Sequence, residues 1–266
     1  MLKTLARPIY YSLYRLRMRA SCYLADRLEY AAGLPPALLR FRVSETHSAK
    51  SFTDIGQACG RILESCLRDA GFAWQKGSRV LDFGCGCGRT IIWLIRDHPD
   101  VIFCGCDVDT EAVAWCQQHL TGDFQINQAL PPLPYDAAYF DVIYCVSVFT
   151  HLNEAMQDAW LEELRRIVKP NGLIVLTVHG SNAAAILTPA ERLALESTGI
   201  LHKTSRKLKG LVPDWYHTTW HSRAYITAKL ARRFRSVSYR EIPDGLQDFV
   251  VASGTVAVPD EPAMRN

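Results

Sequence analysis

Between residues 78 and 178 the chain alternates two periodicities. This alternation constrains its fold more than any other feature. RVLDF (79–83), VIFCGCD (101–107), FQIN (124–127), FDVIYCVSVF (140–149) and LIVLTV (173–178) are short β-rich runs. TIIWLIRDH (90–98), TEAVAWCQQHL (110–120) and residues 153–168 fall between them with helical character. Asn153 is placed to cap the last of these, with Met156, Trp160, Leu164 and Ile167 inward. Pro170, Asn171 and Gly172 predict a turn before LIVLTV. Apolar strands alternating with helices imply a parallel sheet covered on both faces.

The flanks follow different patterns. Residues 1–42 hold eight cations against Asp26 and Glu29, a local net charge of +6, although the whole chain is only +3. Leu13, Leu16, Leu24 and Leu28 recur at near-helical spacing, predicting a helix that ends near Gly33 and Pro35. Two readings stand for it: a helix packed on the domain through its Leu and Tyr residues, or a membrane-surface or acceptor-binding helix. Residues 53–70 predict a second amphipathic helix. Beyond residue 181, Thr188-Pro-Ala-Glu191 is a capping box with proline at the first helical position, and Gly199 is a natural stop. A loop rich in Lys, His and Trp is expected over 202–221, then a helix near 222–233, a strand near 235–242 and a last strand in LQDFVVASGTV. The organisation expected is a basic helical N-terminal extension (1–50), a main domain (51–258, with an insertion at 181–221) and a tail (259–266).

No stretch reaches the roughly 20 apolar residues of a membrane span. The N-terminal residues interrupt their apolar positions with Arg, unlike a secretory signal. Nine cysteines without a C-x-x-C pair predict reduced thiols and a cytoplasmic protein. Cys85, Cys87, Cys104 and Cys106 form two C-G-C triplets, but C-x-C is not the usual zinc spacing, and no metal site is expected.

The most informative stretch is Val80-Leu-Asp-Phe-Gly-Cys-Gly-Cys-Gly-Arg89. A strand ends in an acid, Asp82, and a loop carries Gly84, Gly86 and Gly88. Such glycines let the backbone turn tightly and approach a ligand. The next strand ends in Asp107, where a carboxylate can accept hydrogen bonds from ribose hydroxyls. The spacing is neither the G-x-G-x-x-G of a dinucleotide site nor a P-loop, since Arg89-Thr90 supplies no Lys-Ser/Thr.

This combination resembles motif I of the class I S-adenosylmethionine-dependent methyltransferases. Cys106-Asp107-Val108-Asp109 resembles their second motif. Phe140 to Leu152 resembles their fourth strand and its loop, and Leu164 to Gly172 with LIVLTV their helix–turn–fifth-strand segment. The resemblance implies a Rossmann-like, seven-stranded, mostly parallel α/β sheet with an antiparallel last strand and an N-terminal helical extension. It implies S-adenosyl-L-methionine as cofactor. Asp82 with the loop backbone at Gly84, Cys85 and Gly86 would hold the methionine end, with Gly88 in the same cofactor-binding loop, Asp107 the ribose, and Val108 the adenine face. Asn127 would meet the adenine edge, where the family often has Asp, and Ser147 opens toward the methyl group.

The acceptor side is read from histidines, the natural bases near neutral pH. His151 follows the fourth strand, His179 ends the fifth, and His217 and His221 lie in the 181–221 segment; His151, His217 and His221 are the candidate catalytic residues. Tyr216 and Trp220 form an aromatic wall or a core patch. Lys203, Arg206, Lys207 and Lys209 draw an anionic acceptor or make a solvated loop. The N-P-P-Y type tetrapeptide of base-amino methylation is absent, so a small-molecule or saccharide acceptor, methylated at a hydroxyl, is expected rather than nucleic acid. Two rivals are a nicotinamide-dependent oxidoreductase and a catalytically silent methyltransferase-like binding module. Oligomeric state is not legible in the sequence.

Overall fold

The computed structural model describes residues 2–28, 33–204, 213, 215–243 and 245–256. The expected tail at 259–266 and the cations Arg206, Lys207 and Lys209 lie outside them. Chain order is α1 (Leu2–Leu28), α2 (Ala37–Ser44), α3 (Ala49–Asp69), β1 (Arg79–Phe83), α4 (Ile91–Asp97), β2 (Ile102–Asp107), α5 (Thr110–His119), β3 (Asp123–Ile126), β4 (Phe140–Cys145), α6 (Glu154–Ile167) and β5 (Val168–Val178). A 3-10 turn (Ala183–Ile186), α7 (Pro189–Thr198), β6 (Ile200–Lys203), β7 (Thr218–His221), α8 (Arg223–Ala231), β8 (Phe234–Arg240) and β9 (Asp248–Thr255) complete it.

Seven strands form one sheet in the order β3-β2-β1-β4-β5-β9-β8. The first five are mutually parallel, and β9 runs antiparallel to both β5 and β8. The period-2 alternation of the strands sends neighbouring residues to opposite cores. Leu81, Ile143 and Ile174 pack with Trp160, Leu164, Ile226 and Leu230 of α6 and α8. Val80, Val142 and Val175 pack with Leu63, Leu67, Leu94 and Val113 of α3, α4 and α5. Strand order reverses at β1, whose neighbours are β2 and β4, so a crevice opens at the carboxyl ends of β1 and β4.

The local signals place their elements. The Asn153 side chain accepts from Met156 N at 2.9 Å, and Met156, Trp160, Leu164 and Ile167 are all buried. The Thr188–Glu191 capping box is formed, and Gly199 ends α7 at φ 78°. The Pro170-Asn171-Gly172 turn takes another form: β5 runs through it, and the ladder shifts so that Phe140 pairs with Val168 but Val142 pairs with Leu173. The extra residues bulge out of the sheet. The expected loop at 202–221 holds a hairpin instead, with β6 and β7 pairing antiparallel.

The α1 leucines are also corrected. Met18, Cys22 and Ala25 face Ala37 and Phe41 of α2, while Leu13, Leu16, Leu24 and Leu28 point to solvent. Among the described residues no helix is long and apolar enough to cross a membrane. All nine cysteines are free thiols.

Candidate active site

The crevice holds a cavity of about 560 Å³. One end is the glycine loop between β1 and α4. Gly84 and Gly86 have φ of 79° and 52°, a region that strains any residue with a side chain. Added Cβ atoms would stand 2.3 Å from Val148 Cγ2 and 2.4 Å from Val43 Cγ1, respectively. Asp82 closes this end from below. Its carboxyl is buried, and burial pushes its pKa up to about 7 against the opposing pull of the Tyr144 hydroxyl.

Asp107 organises the loop as well as lining the cavity. One of its oxygens accepts from Gly86 N at 2.7 Å and the other from Asp109 N at 2.8 Å. Asn127 N in turn donates to the Asp107 carbonyl at 3.0 Å. The Asn127 amide NH2 bonds the Gln128 carbonyl, and its buried Oδ1 has no partner within the protein. Trp160 Nε1 donates to Ala129 O at 3.1 Å, which ties the loop after β3 to α6.

At the other end, Ser147 sits in the left-handed region, with φ of 68°. A closed ring of hydrogen bonds keeps it there. Ser147 N donates to Thr177 Oγ1 (2.8 Å), Thr177 Oγ1 to Gln247 Oε1 (2.6 Å), and Gln247 Nε2 to Ser147 Oγ (2.8 Å). Such a backbone conformation costs about 1–3 kcal/mol and persists only where its surroundings over-determine it.

His151 follows on the same loop. Its Nδ1–H donates to the His217 carbonyl at 2.7 Å, leaving Nε2 unprotonated, 2.7 Å from the Tyr216 hydroxyl. The two rings stack, with centroids 3.8 Å apart. Burial lowers the His151 pKa to about 4, so the ring is neutral at ordinary pH. Burial also raises the Tyr216 pKa.

Asp82, Gly84, Cys85, Gly86, Asp107, Val108, Asn127, Ser147 and His151 all line this cavity. Gly88, His217 and His221 do not. Gly88 turns the chain at φ 83° behind the loop, where a Cβ would meet Leu120 and Ile92. His217 contributes its backbone carbonyl to His151, and its ring stands 5.3 Å from that of His202. His221 is only 1% exposed, bonded to Gln157 through Nε2, with its pKa lowered to about 3 by burial. It is packed between β7 and α6, away from the cavity. His179 Nδ1 meets the Thr219 carbonyl at 3.1 Å.

One whole wall of the cavity carries no signature in the sequence. Arg42 and Val43 of α2 line the cavity from within the N-terminal extension. Arg42 pairs with Asp109 at 2.9 Å and Glu111 at 2.5 Å, and Arg89 donates to the Val43 carbonyl at 2.5 Å. Trp215 joins Tyr216 on the acceptor side. An arginine just before a break gives no local signal of these long-range partners.

These features fit a nucleoside carrying an amino-acid end. The loop backbone at Gly84, Cys85 and Gly86 borders the cavity, the buried Asp82 suits a cation, and the buried Asn127 Oδ1 is an acceptor with no partner within the protein. The methyltransferase-domain family matches residues 80–172, the segment that builds both the loop and the β1/β4 crevice. In this segment the chain is similar to the methyltransferase domains, and its sheet has the fold of the class I S-adenosylmethionine-dependent methyltransferases. The likeness points to S-adenosylmethionine as the cofactor rather than to a nicotinamide.

Among curated relatives, a tRNA (carboxymethyluridine(34)-5-O)-methyltransferase of Arabidopsis thaliana is 34% identical over 145 residues, covering 53% of this chain and 30% of its own. A malonyl-[acyl-carrier protein] O-methyltransferase of Herminiimonas arsenicoxydans is 31% identical over 104 residues, covering 39% and 38%. The chain thus spans well under half the length of either relative. A solved methyltransferase from Methanosarcina mazei shares the fold with a TM-score of 0.53 at 17% identity, covering 69% of this chain and 95% of its own. A Pyrococcus horikoshii protein does so with a TM-score of 0.52 at 15% identity, covering 74% and 90%.

Proposed function

We propose that this protein transfers the methyl group of S-adenosylmethionine to an oxygen, a hydroxyl of a small-molecule or glycan acceptor held against His151 and Tyr216. One observation carries the reading: the Asp82–Asp107 end and the His151–Tyr216 end belong to a single cavity. Its volume lies in the range of small-molecule sites, roughly 300–1,000 Å³.

When bound, the cofactor supplies an electrophilic methyl on a sulfonium. Asp82 and the Gly84–Gly86 backbone hold the methionine end. Asp107 accepts from the ribose hydroxyls with the lone pairs its backbone donors leave free. Val108 packs on the adenine, and Asn127 Oδ1 accepts from its amino group. Transfer is an in-line displacement that needs the acceptor about 3 Å from the methyl carbon. His151 is neutral, with Nδ1 locked by a carbonyl, so Nε2 offers its lone pair to the acceptor O–H directly or through the Tyr216 hydroxyl. It orients the nucleophile and takes the proton as the new bond forms.

Three relatives named as O-methyltransferases support an oxygen acceptor. One of these and a further relative, named as a tRNA N(3)-cytidine methyltransferase, are named for tRNA, so the expected exclusion of nucleic acid is not carried by these comparisons. The mild net charge of +3 and the size of the cavity are the arguments for a small acceptor.

The test is calorimetric titration with S-adenosylhomocysteine and NADH, followed by transfer of radiolabelled methyl to hydroxylated metabolites, oligosaccharides and bulk tRNA. S-adenosylhomocysteine binding without NADH binding, and label on an oxygen of a small acceptor, is the expected result. Label on tRNA alone overturns the acceptor class. Cofactor binding with no labelled product in any fraction leaves the silent binding module as the better reading.

A further inference from the structure

Helix α1 has two apolar faces, and the fold uses one. Met18, Cys22 and Ala25 pack on α2. On the opposite arc Leu13, Leu16 and Leu24 are 61%, 66% and 56% exposed, and Tyr23 is 60% exposed. At 100° per residue these four share one side of the helix. Single exposed leucines are ordinary, but a continuous apolar strip on a helix marks an interaction surface. Arg27 falls within this arc, and Arg17 and Arg19 flank it about 20° and 40° beyond its two edges, all exposed. The Arg27 guanidinium lies 5.3 Å over the Tyr23 ring. The sole carboxylate of α1, Asp26, accepts from Ala37 N at 2.7 Å at the junction with α2.

We propose that this outward face of α1 docks on an anionic lipid bilayer, lying in the plane of the interface. Leucines enter the acyl boundary, Tyr23 sits at headgroup level, and the arginines meet lipid phosphates. Charge decides the occupant. A second copy laid on this face would bring Arg17 and Arg27 of both helices together with no carboxylate of α1 to answer them. An anionic surface answers all of them. The inference stands apart from the methyl-transfer reading, since it uses no residue of the cavity.

The test is co-sedimentation of the full chain with phosphatidylcholine vesicles and with vesicles also containing phosphatidylglycerol. We expect binding to the anionic vesicles roughly tenfold tighter than to the neutral ones, weakened by salt. A Leu13→Ser, Leu16→Ser, Leu24→Ser variant should lose binding, and Arg17→Gln with Arg27→Gln should lose the anionic preference. Both variants should keep the wild-type circular dichroism and melting temperature, because the side chains are exposed. Failure of the wild type to bind either vesicle, or unchanged binding by the leucine variant, overturns the proposal. So does a dimer in sedimentation velocity that the leucine variant abolishes. An RNA complex lost only in the arginine variant, with no vesicle binding, reassigns the face to nucleic acid.

Discussion

Asp82 carries the clearest pH signature. Its folded pKa of about 7 stands above the usual carboxylate value near 4. The folded state therefore holds a proton that the unfolded chain has released between those pH values. Stability from this group is full below pH ~4 and is lost as pH rises through about 7. A cationic amino group favours the ionised carboxylate. S-adenosylhomocysteine affinity should therefore rise from pH 5.5 toward 7 and level off above it, and calorimetry on Asp82→Asn should give a flat profile. His151 acts differently, because burial keeps it neutral down to pH about 4. His151→Ala should lower kcat by roughly 100-fold while leaving S-adenosylhomocysteine affinity within about twofold, read by initial rates and titration. Tyr216→Phe should share the direction with a smaller loss. Asp82, Asp107 and the glycines were legible because backbone freedom and a strand-end acid write a local signature. The His151–Tyr216 pair was not, since its members stand 65 residues apart and meet only through the docking of β7 on the β4 and β5 loops.

At the scale of elements, α2 is the piece that turns an open crevice into a cavity. Its anchors are the Arg42 pairs with Asp109 and Glu111, and Arg42 is only 17% exposed in its side chain. Arg42→Ala should loosen that wall. We expect about 1 kcal/mol, or roughly fivefold weaker cofactor binding, measured by titration against an Arg42→Lys control that keeps the charge. The helices whose ends carry caps were readable to within a residue or two: Asn153 for α6, Thr188 and Gly199 for α7. The β6–β7 hairpin was not, because its residues are mixed in character and its ladder is completed by neighbours. Thr219 N donates to Thr150 O at 2.7 Å, and His221 N to His179 O at 3.0 Å.

Over the whole molecule, Trp160 joins core and site. It is 1% exposed, lies 4.5 Å from the Phe83 ring, and holds the loop after β3 through Ala129. Trp160→Ala should cost about 3–5 kcal/mol and lower Tm by roughly 10 °C, with cofactor binding weakened as the Asn127–Ala129 loop loosens. Differential scanning calorimetry with and without S-adenosylhomocysteine checks both parts. The sequence by itself determined the alternating α/β architecture, the glycine loop with its two acids, and the helix caps. Those features depend on backbone dihedrals and hydrogen bonds within a few residues, so they are written locally. Tertiary structure decided which face of α1 is buried, that α2 walls the cavity, and that His151 reaches it while His221 is packed away. Each of these outcomes is a choice between chemically similar surfaces. Partners far along the chain settle it, as when Arg42 finds Asp109 across 67 residues, and no local pattern encodes them.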